Sequence, residues 1–311
     1  MPSTWKPRAG IAAAALTMAL ALAACGGAAT GDSAAPPAAP AIPTEPMPAH
    51  PADPALTAAF PAGIQQSGTL RVGVSPNFAP LNFKRDDGTL TGAETELTEV
   101  LGQATGLRIE FVETNFAGLL SGLAADRFDI VISGVTDTRA REEQVNFVNF
   151  STVGKNLLVR ADDPRPIADL PDLCGRTMGV TIGTTYGDEL AGISRDTCEA
   201  AGKPAIVVQT FDTGNDVRQA IATSRIDGTL GAVSANTYTE RRSEGALVTA
   251  GPTVAPGVSG ALVPKDDAEL TEALRLSFQT LMDDGTVRSV LDRWGLGDEA
   301  LQTAQVNGAT F

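Results

Sequence analysis

Phe128–Phe147, FDIVISGVTDTRAREEQVNF, decides how the chain is read. Its apolar run Ile130-Val131-Ile132 predicts a buried strand. Ser133, Gly134 and Thr136 stand at the carboxyl end of that strand, and Arg141 follows a few residues later. Hydroxyls, backbone N–H groups and one guanidinium therefore converge where open α/β sheets place their ligands. A guanidinium is a planar fork of donors that fits the two oxygens of a carboxylate. The segment points to a small carboxylate. The alternative is a solvated strand-to-helix turn with an exposed Arg, in which Ser133 and Thr136 cap the next helix.

Strands and helices alternate outward from this stretch. Thr69–Val74 reads as a first strand, Gly92–Thr105 as a helix, Leu107–Val112 as a second strand and Phe116–Ala125 as a short helix. A second block begins after Leu157-Leu158-Val159. It has strands at Thr177–Val180, Ala205–Gln209 and, weakly, Ile226–Val233, with a helix at Asn215–Ser224. Val258–Val263 is a further strand, and Asp267–Met282 and Val287–Trp294 are amphipathic helices. The alternation predicts doubly wound sheets.

Composition bounds the function. The net charge of −14 argues against nucleic acid as a partner. The one His, His50, falls in a Pro-rich segment, so no Ser-His-Asp or Cys-His machinery is expected. There is no Cys/His metal pattern, no P-loop and no dinucleotide fingerprint. Neither metal nor cofactor is expected.

Lys6 and Arg8 precede a short apolar run, Ile11–Ala21, and then Leu22-Ala23-Ala24-Cys25. The run is too short and Ala-rich for a membrane span. Leu-Ala-Ala-Cys resembles the bacterial lipobox, which implies that Cys25 becomes the lipidated first residue of an exported protein. Residues 1–24 would be the signal peptide. Residues 25–63, rich in Ala and Pro, would be a disordered tether. With Cys25 lipidated, Cys174 and Cys198 remain as an even pair in an oxidising place, and a disulfide is expected over two free thiols. It would close a loop of about 25 residues, stabilising by roughly 3–4 kcal/mol in the chain-entropy model.

The pieces LRVGVSPNFAPLNF, LTGAETELTEVL, RFDIVISGVTDTRAREEQVNF, MGVTIGTTYGDEL, SRIDG and DGTVRSVLDRWGL occur in that order between about Gly68 and Leu296. Together they resemble the polar amino-acid-binding family (family 3) of bacterial ABC-importer solute-binding proteins. The resemblance implies an α/β, two-lobed periplasmic-binding-protein-like fold of type II, each lobe a doubly wound sheet, with two hinge crossovers. Lobe one would be 64–154 plus 255–311, and lobe two 155–254. It also implies a monomer that hands its ligand to an ABC permease and touches the membrane only through the lipid anchor.

The resemblance assigns the site residue by residue. Arg141 matches the Arg that grips the ligand carboxylate, with Ser133, Gly134 and Thr136 adding donors. Gly183-Thr184-Thr185 matches the turn that closes on the same group from lobe two, and a Thr N-cap is the alternative there. Phe78 and Phe116 match the apolar residues that flank the ligand, although a lone Phe belongs more often to a core. Asn77 and Asn115 would add neutral contacts. Trp294 matches a C-terminal packing residue, and Asp227 a structural acid.

Two departures stand out. The acid that pairs with the ligand α-ammonium falls on Ala232, so that partner is missing or is replaced by Asp137 or Glu94. Ser75 stands where binders of basic amino acids carry an acid, which argues against a basic ligand. Two other functions compete with transport. One is a dehydratase-like enzyme on the same scaffold, for which Glu94 or Asp188 would have to be the general acid. The other is an extracellular ligand sensor.

Overall fold

The computed structural model describes Pro2 and residues 42–311. Cys25, the signal segment and most of the expected tether lie outside the described residues. The end of that tether needs correction. Residues 53–67 are folded, as helices α1 (Pro54–Ala59) and α2 (Ala62–Ser67). Asp53 caps α1 by accepting from the Ala55 N–H at 2.8 Å, and Pro54 pre-sets the first turn. Leu56 and Phe60, four residues apart on one face, enter the main core, where Phe60 is fully buried. The preceding segment also lies on the body. Ile42 and Met47 pack against the same core, and the His50 ring bonds Asp284 at 2.9 Å. Ala and Pro dominate this composition, and the few apolar residues that anchor it are easily overlooked.

Strand β1 (Thr69–Val74) leads into a small antiparallel sheet of β2 (Asn77–Phe78), β3 (Asn82–Lys84) and β4 (Leu90–Thr91). Helix α3 (Ala93–Thr105) returns to β5 (Arg108–Glu113), and α4 (Leu119–Ala124) to β6 (Ile130–Val131). Both β5 and β6 run parallel to β1. Ile130, Val131 and Ile132 are buried, as their apolar run requires. After the one-turn α5 (Arg139–Glu142) comes β7 (Val145–Arg160), a single strand of 16 residues.

The second half repeats the scheme with β8 (Thr177–Thr181), α6 (Tyr186–Ile193), β9 (Val207–Phe211), α7 (Gly214–Ala222), β10 (Gly228–Ala232) and α8 (Val233–Arg242). Strands β9 and β10 flank β8 in parallel. The chain returns along β11 (Leu247–Pro264), and finishes with α9 (Ala268–Asp283), α10 (Thr286–Arg293) and β12 (Ala300–Val306). The strand order is β5-β1-β6-β11-β7-β10-β8-β9, with β12 on β7.

Strands β7 and β11 are the two crossovers between lobes. They pair antiparallel from Leu247↔Arg160 to Pro264↔Val145, with register breaks between Ala250 and Val254, Val254 and Gly257, and Ser259 and Gly260. Such breaks bend and twist a ladder locally. On one side of the breaks Phe150 and Val148 enter a core with Leu70, Leu97, Leu274 and Phe278. On the other, Leu157 and Val159 enter a separate core with Met178, Val180, Leu190 and Leu230. Two cores joined by a bent two-strand ribbon make a two-lobed α/β fold of type II.

Each lobe uses the same local device. Asp129, just before β6, accepts from the Arg71 N–H of β1 at 2.7 Å. Asp227, just before β10, accepts from the Thr177 N–H of β8 at 2.7 Å. Asp227 is thus a strap between neighbouring strands. Cys174 and Cys198 are disulfide-bonded, with Cα atoms 5.4 Å apart, and join the segment before β8 to the turns after α6. Trp294 is buried and donates from its indole N–H to Glu96 at 2.8 Å, a packing role.

Candidate ligand-binding cleft

The strand ends of the two lobes face each other across a cavity with about 830 Å3 of empty space, counting its mouth. Lobe one contributes Asn77, Phe78, Phe116, Gly134, Thr136 and Arg141. Lobe two contributes Thr184 and Thr185 before α6, and the start of α7.

Arg141 is positioned by its own short helix. Thr138 caps α5 by accepting from the Arg141 N–H at 3.3 Å. The guanidinium then turns into the cleft. Nη1 donates to the Thr136 carbonyl at 2.6 Å, and Nη2 reaches across to the Gly183 carbonyl at 2.9 Å. Two of its five N–H donors are so engaged, and three remain. Burial holds its pKa below the ordinary value, and Tyr186, Asp137 and Glu189 oppose that shift. No carboxylate among the described residues accepts a hydrogen bond from it.

The other expected donors divide. Ser133 does not line the cavity. It is fully buried, and its Oγ accepts from the Ser75 N–H at 2.8 Å, tying the ends of β6 and β1 together. Its place as a ligand donor is therefore corrected to a strut inside lobe one. Gly134 does line the cavity, but its N–H donates to Glu94 Oε2 at 2.7 Å. Gly134 has φ of 60°, and a Cβ there would meet the Phe78 ring at 2.3 Å. The glycine lets Phe78 lie against the strand end.

In lobe two, the Thr184 hydroxyl donates to the Thr181 carbonyl at 2.6 Å and closes its own turn. Thr185 makes no capping bond from its side chain. Its buried hydroxyl has no partner among the described residues and lies at the cavity wall. Asn115 caps the turn Phe116–Gly118 by accepting from the Gly118 N–H at 2.8 Å, and does not line the cavity.

Tyr186, Arg218 and Asp212 are among the cavity residues that had no place in the sequence reading. Tyr186, at the start of α6, has its phenol pushed well above its ordinary pKa by burial and by Glu189. Arg218 projects from α7, bonded to the Asn215 side chain, with its pKa lowered by burial. Asp212 is an exposed carboxylate of the lining. Tyr186 opens α6 and Arg218 lies midway along α7, on helices of mixed polarity where a sequence shows only a solvated face.

Neither acid suggested as a replacement at Ala232 lines this cavity. Asp137 is fully buried and engaged by the Asn149 side chain at 3.1 Å and the Gly308 N–H at 3.0 Å. Burial raises its pKa to about 6. Glu94 belongs to a smaller cavity behind the cleft, bordered by Phe78, Gly134 and Ala232 and shared with Glu299 and Ser234. Burial raises both Glu94 and Glu299 to about 7, and the Glu94 charge also acts on Glu299. Asp188 is exposed and outside both cavities.

The sequence between residues 70 and 297 matches the model of bacterial extracellular solute-binding proteins, family 3. The chain belongs to this family. The match covers both lobes and both crossovers. Among relatives of this family-3 protein, the arginine-binding protein ArgT of Corynebacterium glutamicum is 29% identical over 252 residues, covering 81% of this chain and 82% of that one. The L-cystine-binding protein TcyJ of Escherichia coli is 28% identical over 232 residues, covering 74% and 84%. The crystal structure of the ancestral amino-acid-binding protein AncCDT-1, a precursor of cyclohexadienyl dehydratase, is similar at a TM-score of 0.67 and 26% identity, covering 75% of this chain and 97% of that one. No group of three or more His, Cys, Asp or Glu among the described residues is arranged to hold a metal ion. No described helix is long and apolar enough to cross a membrane.

Proposed function

We propose that this family-3 protein captures an amino acid or a related small carboxylate outside the cytoplasm and delivers it to an ABC permease. The lobes would be 64–154 with 255–311, and 155–254, closing about β7 and β11. Hinge closure around a ligand is a common motion of such two-lobed receptors. The observation that carries the reading is Arg141. Its guanidinium stands between the lobes, bonded to Thr136 on one side and Gly183 on the other, with three donors left for an anion. Thr185, whose buried hydroxyl has no partner among the described residues, lines the same space. Phe78 and Phe116 would flank the carbon skeleton. The named ligands of the relatives, arginine and cystine, support the amino-acid class.

Anchoring through a lipidated Cys25 rests on the lipobox-like Leu22–Cys25, and the monomeric state on the family resemblance. The binding reading is preferred to the dehydratase one because the curated relatives are named as binding proteins, the carboxylate lining the cleft is the exposed Asp212, and Glu94 lies behind it, engaged by Asn82 and the Gly134 N–H. A thermal-shift screen of the detergent-solubilised full chain against amino acids and organic acids tests the proposal, since a ligand raises the melting temperature by mass action. Loss of uptake of the hit compound on deleting the gene would separate transport from sensing. A screen in which no carboxylate shifts the transition would contradict the reading.

A further inference from the structure

We propose that the ligand of this cleft carries two anionic groups, a dicarboxylate held between Arg141 of lobe one and Arg218 of lobe two. This rests on the binding-protein reading above and names the ligand class within it.

The argument starts from how this protein treats its other arginines. Arg176 is almost fully buried, and it contacts Asp163 at 2.8 Å and Asp227 at 3.4 Å. Arg71 is partly exposed and pairs with Asp129 at 2.6 Å. A guanidinium withdrawn from water is costly unless it is paired. Arg218 is half-buried in the cleft wall, its pKa is lowered by burial, and no carboxylate among the described residues pairs with it. Its hydrogen-bonding partner among the described residues is the neutral Asn215 side chain. It is held by a well-made helix start, where Thr213 and Asp216 cap α7 reciprocally. The side chain lines the same cavity as Arg141. Two guanidiniums from opposite lobes thus face one space, each with unused donors.

The rest of the lining agrees in sign. Ala232 leaves no charge in lobe two for an ammonium, and Asp212 is exposed to solvent, where its field is screened. A ligand with a cationic side chain would bring a third positive charge toward two arginines. One with a second carboxylate would supply the missing partner of Arg218 and make the ion pair only when the lobes are closed. The Phe78 and Phe116 rings suit the short carbon chain between two such groups.

Calorimetry on the detergent-solubilised full chain tests this with glutarate, L-glutamate, N-acetyl-L-glutamate, L-glutamine and L-arginine. At least one diacid should bind at least about 10-fold more tightly than glutamine or arginine. Arg218→Gln should lower that affinity about 10-fold or more, with Arg218→Lys retaining part of it. Should Arg218→Gln fail to fold, the wild-type order of affinities decides alone. If arginine or glutamine binds most tightly, or if Arg218→Gln leaves the diacid unaffected, the inference is overturned while the binding protein stands. If no compound binds, the inference is overturned, and the binding-protein reading is decided by the wider thermal-shift screen.

Discussion

Arg141 Nη2 donates to the carbonyl of Gly183 at 2.9 Å and so joins the ligand-facing ends of the two lobes. The same glycine sits hard against lobe one. It has φ of 84°, and a Cβ built on it would stand 3.0 Å from the Ala117 Cα. A side chain at 183 would meet backbone that cannot move aside, and it would also strain the turn. Gly183→Val should therefore favour open lobes. Small-angle scattering should show a larger radius of gyration and a weakened response to ligand. Unchanged scattering and affinity would mean that this contact does not govern closure.

Acidity should act on stability through the small cavity behind the cleft. Glu94 and Glu299 have pKa values raised to about 7, and Asp137 to about 6, with burial as the first cause. An acid whose folded pKa is raised binds more protons folded than unfolded. Its stabilising contribution is full below its unfolded pKa and is lost as pH rises through the folded value. Between about pH 4.5 and 7 all three groups should act in the same direction and lower stability. The melting temperature should fall across that range, and Glu94→Gln should flatten the slope. A transition that rises steadily from pH 5 to pH 7.5 would contradict this.

The disulfide ties the lobe-two segment before β8 to a buried position, Cys198, in the second core. Peptides containing Cys174 and Cys198 should carry no free thiol when the protein is digested without reductant. Reduction should destabilise lobe two by about 2–4 kcal/mol. Ready alkylation of both cysteines in the native protein would refute the pairing.

Phe60 gives a handle on the corrected boundary of the folded body. It is fully buried among Leu56, Leu97 and Phe278, members of the lobe-one core. Phe60→Ala should cost about 3 kcal/mol in urea unfolding, through lost burial and the cavity left behind. A loss below about 0.5 kcal/mol would restore residues 54–63 to the tether.

The frame of the fold was legible where apolar period and turn residues agreed. Thr69–Val74 forms the strand its alternation predicts, and Ala93–Thr105 the helix. β7 was not legible, and Leu157–Val159 served only to mark where the second block begins. Its 16 residues serve two cores in turn, so the burial pattern changes along its length. β12 was missed for a related reason, since it buries Ala304 but exposes Gln302, Thr303, Gln305 and Val306. At the cleft, residue types pointed to Arg141, and the family resemblance to the Gly-Thr-Thr turn and to the missing acid at Ala232. They did not tell which hydroxyls were already engaged. Ser133 and Thr184 bond within their own lobes, whereas Thr185 does not. Arg218 could not be read from sequence, because its significance lies in the absence of a carboxylate beside it in space.

The most direct test is calorimetric titration of wild type and Arg141→Ala with the compounds that shift the melting temperature, each beside its carboxamide. At least one carboxylate should bind wild type at micromolar affinity or better, and its carboxamide should not. Arg141→Ala should lose roughly 2–5 kcal/mol of that binding with the fold intact. If the active compounds bind Arg141→Ala as well as wild type, or bind equally well as carboxamides, the carboxylate account of this cleft is wrong.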